Sequence, residues 1–109
     1  MNCVFCKIVN GEIKAKTVYE NERAMAFYDI NPQAPIHVLI IPKKHYENLF
    51  EGMDREDVEG ILNCIKGVVN GLNIKEYRLV SNAGKGAGQE VFHLHIHLLA
   101  GKEFPANTV

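Results

Sequence analysis

The chain has 109 residues, 47% of them hydrophobic and 23% charged, the proportions of one compact soluble domain rather than a disordered or multidomain protein. A formal net charge of -1 leaves no broad basic field, which argues against polymeric nucleic acid or an anionic membrane as the principal partner and points to a small ligand. No stretch approaches the roughly 18 apolar residues of a membrane span, and the start Met1-Asn2-Cys3-Val4-Phe5-Cys6-Lys7 lacks the basic and apolar regions of a signal peptide, so a cytoplasmic protein is expected.

In chain order, residues 3–9 suit a short helix that ends before Asn10-Gly11. The three cysteines, Cys3, Cys6 and Cys64, are an odd count that cannot be fully paired within the chain, and a reducing cytosol makes Cys3-x-x-Cys6 half of a metal site rather than a disulfide. Residues 17–20, 24–30 and 36–41 are rich in aromatic or β-branched side chains and bounded by Asn, Pro or charged turns, the pattern of strands. Over residues 54–70 the period changes: Val58, Ile61, Leu62, Ile65, Val68, Val69 and Leu72 recur at helical spacing, with Gly71 where a glycine cap belongs. Cys64 lies on that apolar stripe and reads as a small buried hydrophobe. Residues 76–82 and 91–99 read as two more strands, joined by the glycine-rich segment 83–88. No repeat or linker divides the chain, so a single α+β domain over residues 1–109 is expected, with an antiparallel sheet covered by a helix on one face.

The last of these strands carries the chemistry. Side chains alternate along a strand, so Phe92, Leu94, Ile96 and Leu98 share the face toward the helix while His93, His95 and His97 share the other. Core packing accounts for one buried histidine but hardly three, because every ring nitrogen would need a partner. A catalytic metal on His95 and His97 is a second reading of the alternation, weakened because the same strand offers no acidic residue or further histidine to complete it.

His93-Leu94-His95-Ile96-His97-Leu98-Leu99 resembles the signature of the histidine triad (HIT) family, His-φ-His-φ-His-φ-φ with φ apolar. The likeness extends through Cys3-Val4-Phe5-Cys6, Ala26-Phe27-Tyr28-Asp29-Ile30-Asn31-Pro32, Ile36-His37-Val38-Leu39-Ile40-Ile41-Pro42 and Gly88-Gln89-Glu90-Val91. Together these segments are similar to the Hint branch, histidine triad nucleotide-binding proteins that act as purine nucleoside phosphoramidases. The resemblance implies the HIT fold: about five antiparallel strands, one long helix, a short N-terminal helix, and a homodimer formed by joining two sheets edge to edge.

Carried over residue by residue, the resemblance makes His95 the nucleophile at the α-phosphorus. It assigns His97 to a non-bridging phosphate oxygen and couples His37 to it as an aid to protonating the leaving amine, with His93 completing the catalytic histidines. Val4, Phe5, Ile8, Phe27, Ile30 and Leu39 would wall a slot for the purine, and Asp29 would accept from the ribose hydroxyls, although Asp29 also suits a turn. Asn82, Gly88, Gln89, Glu90 and Val91 fall in the implied phosphate-binding region, where glycines admit the backbone close to the anion. Glu90 stands where well-studied Hint proteins carry a serine; its carboxylate would repel phosphate, turn outward, pair with Lys85 or assist a departing amine. Relatives that bind zinc imply a structural Zn(2+) on Cys3, Cys6, His45 and His93, with no metal required for the chemical step. The ligand implied is a small purine nucleotide such as AMP or GMP or a conjugate of one. The competing functions are dinucleoside polyphosphate hydrolysis, as in the Fhit branch, and a nucleotide-binding regulatory module.

Overall fold

The computed structural model describes residues 2–106, which build a five-stranded antiparallel sheet with a helix against each face. The chain runs α1 (Val4–Val9), β1 (Thr17–Glu20), β2 (Ala24–Tyr28), β3 (Ile36–Pro42), α2 (Arg55–Gly71), β4 (Arg78–Val80), one 3-10 turn at Lys85–Ala87, and β5 (Ile96–Ala100). Strands lie in the order β1-β2-β3-β5-β4. The last strand in sequence is therefore held between β3 and β4, in register with His37 opposite Leu99 and Leu39 opposite His97. This is the α+β architecture expected, with an antiparallel sheet and one long helix. No helix among the described residues is long and apolar enough to cross a membrane.

The central strands are buried on both sides, which is why β2 and β3 read as nearly unbroken apolar runs. Alternation sorts them. Ala24, Ala26, Val38, Ile40, Ile96 and Leu98 pack with Ile61, Cys64, Ile65 and Val68 of α2, whereas Met25, Phe27, Leu39 and Ile41 pack with Phe5 and Ile8 of α1. Cys64 is fully buried, and burial pushes its thiol up to about 12, so it is an unreactive core side chain. A glycine inside a helix costs about 1 kcal/mol relative to alanine, yet α2 needs Gly67: a Cβ there would fall 2.4 Å from the Tyr19 ring. Under the first turn of α2, the buried Asp57 accepts from the Tyr46 hydroxyl at 2.5 Å and from the Arg23 guanidinium at 3.2 Å. The Tyr46 bond, against the opposing effect of burial, holds the carboxyl below the usual range.

Several elements differ from their sequence reading, each for a local reason. The strand expected at 91–99 enters the ladder only at Ile96, because β3 pairs no further than Ile40 with Ile96 and β4 is only three residues long rather than the seven of 76–82. Residues 91–95 are irregular and tied down separately, with Leu94 N–H donating to the Tyr46 carbonyl at 2.6 Å. Phe92, outside the ladder, does not join Leu94 on the helix face and is 46% exposed. The strand expected at 24–30 ends at Tyr28, where Asp29 turns the chain by accepting Asn31 N–H at 2.8 Å. On α2 the buried stripe is narrower than its periodicity: Val58 and Leu62 are exposed and Asp57 is inside. Gly71 ends the helix without left-handed geometry; Asn73 takes the positive φ of 53°.

Candidate functional site

A cavity of about 910 Å³ opens on the α1 face of the sheet, at the upper end of the range for small-ligand sites. Its apolar wall is Val4, Phe5, Ile8, Phe27, Leu39 and Val91, and its polar wall includes Asp29, His37, Asn82, Gly88, Glu90, His95 and His97. Residues from α1, β2, β3, β5 and the segment before β5 thus meet in one cleft. Ile30 lines only the rim, 91% exposed, because the chain has already turned at Asp29.

The hydrogen bonds fix which nitrogen of each ring carries a proton. His95 Nδ1 lies 2.8 Å from the His93 carbonyl; a carbonyl only accepts, so Nδ1 is the donor and Nε2 of the neutral ring keeps its lone pair. His37 Nδ1 accepts Gln33 N–H at 3.0 Å, which puts the His37 proton on Nε2, 2.9 Å from His97 Nδ1. His97 Nδ1 must then accept, leaving Nε2–H of His97 as a donor. Burial, then the neighbouring His95 and His37 rings, lower His97 to about 4, and burial also lowers His37 against the pull of Asp29. Both rings are neutral at pH 7.

Asp29 uses both oxygens. Oδ1 holds the Asn31 turn, while Oδ2 lies 3.4 Å from His37 Nε2. Asp29, His37 and His97 bring three donor atoms close enough to suit a cation, but the Gln33 amide commits His37 to a proton between the two rings. The cluster is wired as a hydrogen-bond chain.

His93 belongs elsewhere. Expected among the catalytic histidines, it does not line the cleft: its ring is fully buried and only its carbonyl touches His95. His93 Nε2 donates to the Pro42 carbonyl at 2.9 Å, so its Nδ1 lone pair faces Cys3 Sγ at 3.4 Å and Cys6 Sγ at 3.5 Å. His45 Nδ1 stands 3.3 Å from Cys6 Sγ. All four ligand atoms lie within 4.8 Å of one another. Zinc bonded at about 2.3 Å to sulfur and about 2.0–2.1 Å to nitrogen has tetrahedral S···N edges near 3.6 Å, so this donor set fits the ion in chemistry, count and spacing. Burial, and then the adjacent Cys3 thiol, raise Cys6; a bound cation would reverse that. Phe5 divides the two clusters, its ring edge-on to His93 at 5.8 Å and to His95 at 5.2 Å.

Gln89 is also redirected. Its buried amide accepts Gly84 N–H at 2.7 Å and donates to the Glu47 and Val91 carbonyls at 2.8 and 3.0 Å. It therefore braces the loop from behind rather than lining the cleft, where Gly88 at φ 96° brings backbone to the surface. The groups missed by sequence reading are mostly main-chain: Gln33 N–H and the Pro42 carbonyl, whose roles leave no side-chain signature.

An open antiparallel sheet thus carries a cleft within the size range of small-ligand sites, lined by a histidine whose hydrogen bond leaves one ring nitrogen free. A family model described as the HIT domain matches residues 10–104, and the chain belongs to the HIT domain family. An uncharacterised HIT-like protein of Methanocaldococcus jannaschii is 48% identical over 113 residues, covering 98% of this chain and 84% of that protein. Among solved structures, a HIT family hydrolase from Legionella pneumophila superposes with TM-score 0.89 at 45% identity, covering 97% of this chain and 98% of the other. A histidine triad nucleotide-binding protein from Candida albicans gives TM-score 0.83 at 32% identity, covering 99% and 86%.

Proposed function

We propose that the chain is a purine nucleotide-binding hydrolase that cleaves nucleoside 5′-phosphoramidates at the α-phosphorus through a nucleotidyl-His95 intermediate, as in the Hint branch. The observation that carries this reading is the His95 tautomer: the 2.8 Å bond from Nδ1 to the His93 carbonyl leaves the Nε2 lone pair as the nucleophile. The names of the Legionella and Candida proteins, a hydrolase and a nucleotide-binding protein, support the class.

In this reading the purine lies against Phe5, Ile8, Phe27 and Leu39, and Asp29 accepts from the ribose. His97 Nε2–H and the backbone at Gly88 hold the phosphate oxygens. His95 Nε2 forms a bond to phosphorus, the phosphorus–nitrogen bond to the leaving amine breaks, and the amine departs with the electron pair. His37 and His97 are neutral and each carries a single proton, whose loss would leave an imidazolate, so neither is the proton source and the amine takes its proton from solvent. Water then attacks phosphorus and gives up a proton to solvent, and the electron pair of the bond to His95 returns to the ring.

The same reading assigns a structural zinc to Cys3, Cys6, His45 and His93, with the thiolates kept reduced in the cytoplasm. It also assigns a homodimer joined along β4, an edge strand that carries the exposed Leu79 and follows the exposed Tyr77. The test of function is turnover of an adenosine phosphoramidate beside diadenosine polyphosphates. Faster cleavage of the phosphoramidate is expected; cleavage of the polyphosphate alone would move the chain to the Fhit-like class, and cleavage of neither would leave a binding module.

A further inference from the structure

We propose that Glu90 makes the leaving-group end of the cleft a selector of charge, favouring nucleotide conjugates whose departing group carries an ammonium and opposing those whose departing group is anionic. This rests on the phosphoramidase reading of the cleft.

Glu90 is exposed and lines the cleft beside Gly88 and Val91, in the segment that leads into His95, and the same cleft is lined by His95 and His97. Among the described residues no side chain forms a hydrogen bond or ion pair with it, Lys85 included. Its placement is imposed by its neighbour: Gln89 turns inward, with its amide committed to Gly84, Glu47 and Val91. The next side chain, Glu90, is exposed and lines the cleft.

Among the described residues lining the cleft, no lysine or arginine comes from the loop after β4 or from β5 to offset this carboxylate. The cleft's lining cations, Lys14 and Lys16, precede β1, and the Lys16 carbonyl is tied to Tyr28 N–H at 3.1 Å. The strand order puts β1 three spacings from β5, on the order of 14 Å at about 4.8 Å per strand. An amine-bearing leaving group would meet an unpartnered carboxylate, whereas a departing polyphosphate would bring several negative charges to it with no lysine or arginine to receive them. For an exposed pair the preference is modest, roughly fivefold for each unit of charge.

The experiment uses three adenosine 5′-phosphoramidates of matched length whose amine substituent ends in an ammonium, a methyl or a carboxylate. Wild-type kcat/KM should fall in that order over a range of roughly 25-fold; Glu90→Gln should compress the range to about twofold and Glu90→Lys should invert it. Dissociation constants for the same three ligands on His95→Ala protein read the ordering without turnover. If none of the three is turned over, the phosphoramidase reading fails while the dissociation constants still decide the role of Glu90. If all three are turned over with no charge ordering, or if Glu90→Lys keeps the wild-type order, the Glu90 proposal is overturned and the phosphoramidase reading stands.

Discussion

Two neighbouring clusters grow from the same alternating run of histidines, and they end in opposite states. His93 is sealed with Cys3, Cys6 and His45, while two and four residues later His95 and His97 open onto the cleft with His37 and Asp29. The ring is the same in each; what differs is the partner of its second nitrogen. The Pro42 carbonyl takes the His93 Nε2 proton and turns Nδ1 toward two thiols. The His93 carbonyl takes the His95 Nδ1 proton and turns Nε2 loose. In the proposed reading a backbone carbonyl thus decides whether an imidazole serves as a ligand or as a nucleophile, and Phe5 lies between the two.

The largest effect separating the clusters is expected from His95→Ala, which should lower turnover by at least roughly 10³-fold while leaving nucleotide affinity within about threefold. Steady-state kinetics beside calorimetric titration with AMP checks both halves. On the other side, replacing Cys3 and Cys6 together by alanine should release about one zinc per chain and lower the melting temperature by roughly 10–20 °C, with the His95 adduct still able to form in the folded fraction. Metal analysis that found no zinc in protein purified without chelator, and none after reconstitution, would remove the closed cluster as a metal site.

Much of this contrast was legible in the sequence. Period-two alternation put all three histidines opposite the helix face, Cys3-x-x-Cys6 offered half of a metal site, and the family motif singled out His95. His93 stands against the cysteines and His37 against His97, while His93, expected also among the catalytic histidines, does not line the cleft. What could not be read was set by main-chain groups and by strand ends: the ladder stops at Ile96, so the alternation beyond it loses its meaning at Phe92. The inward turn of Gln89 was hidden for a similar reason, because its partners are a loop amide and two carbonyls remote from any pattern. The burial of Asp57 left no sequence signal either, since it follows from Tyr46 and Arg23, residues remote from it in the chain.

Within the open cluster, Asp29→Asn should keep the Asn31 turn yet weaken the ribose contact, raising KM roughly tenfold with kcat changed by no more than about threefold. A fall in kcat alone would mean that Asp29 serves the His37–His97 chain instead. A smaller effect should appear in stability against pH. His97 is neutral when folded, down to about pH 4, whereas an unfolded imidazole takes up a proton near 6.5. The unfolded chain therefore binds more protons between about pH 6.5 and 4, and stability should decline through that window as pH falls and then level off for this group. Urea melts across the window should show the decline shrink in His97→Gln.

The central claim is that His95 Nε2, freed by the His93 carbonyl, forms the bond to phosphorus. Rapid quenching without acid during turnover of a slowly hydrolysed adenosine phosphoramidate, followed by intact mass and peptide mapping, tests it directly. One AMP-sized increment on His95, absent from His95→Ala, is the expected result. Turnover near the wild-type rate in His95→Ala with no adduct on any histidine would contradict it.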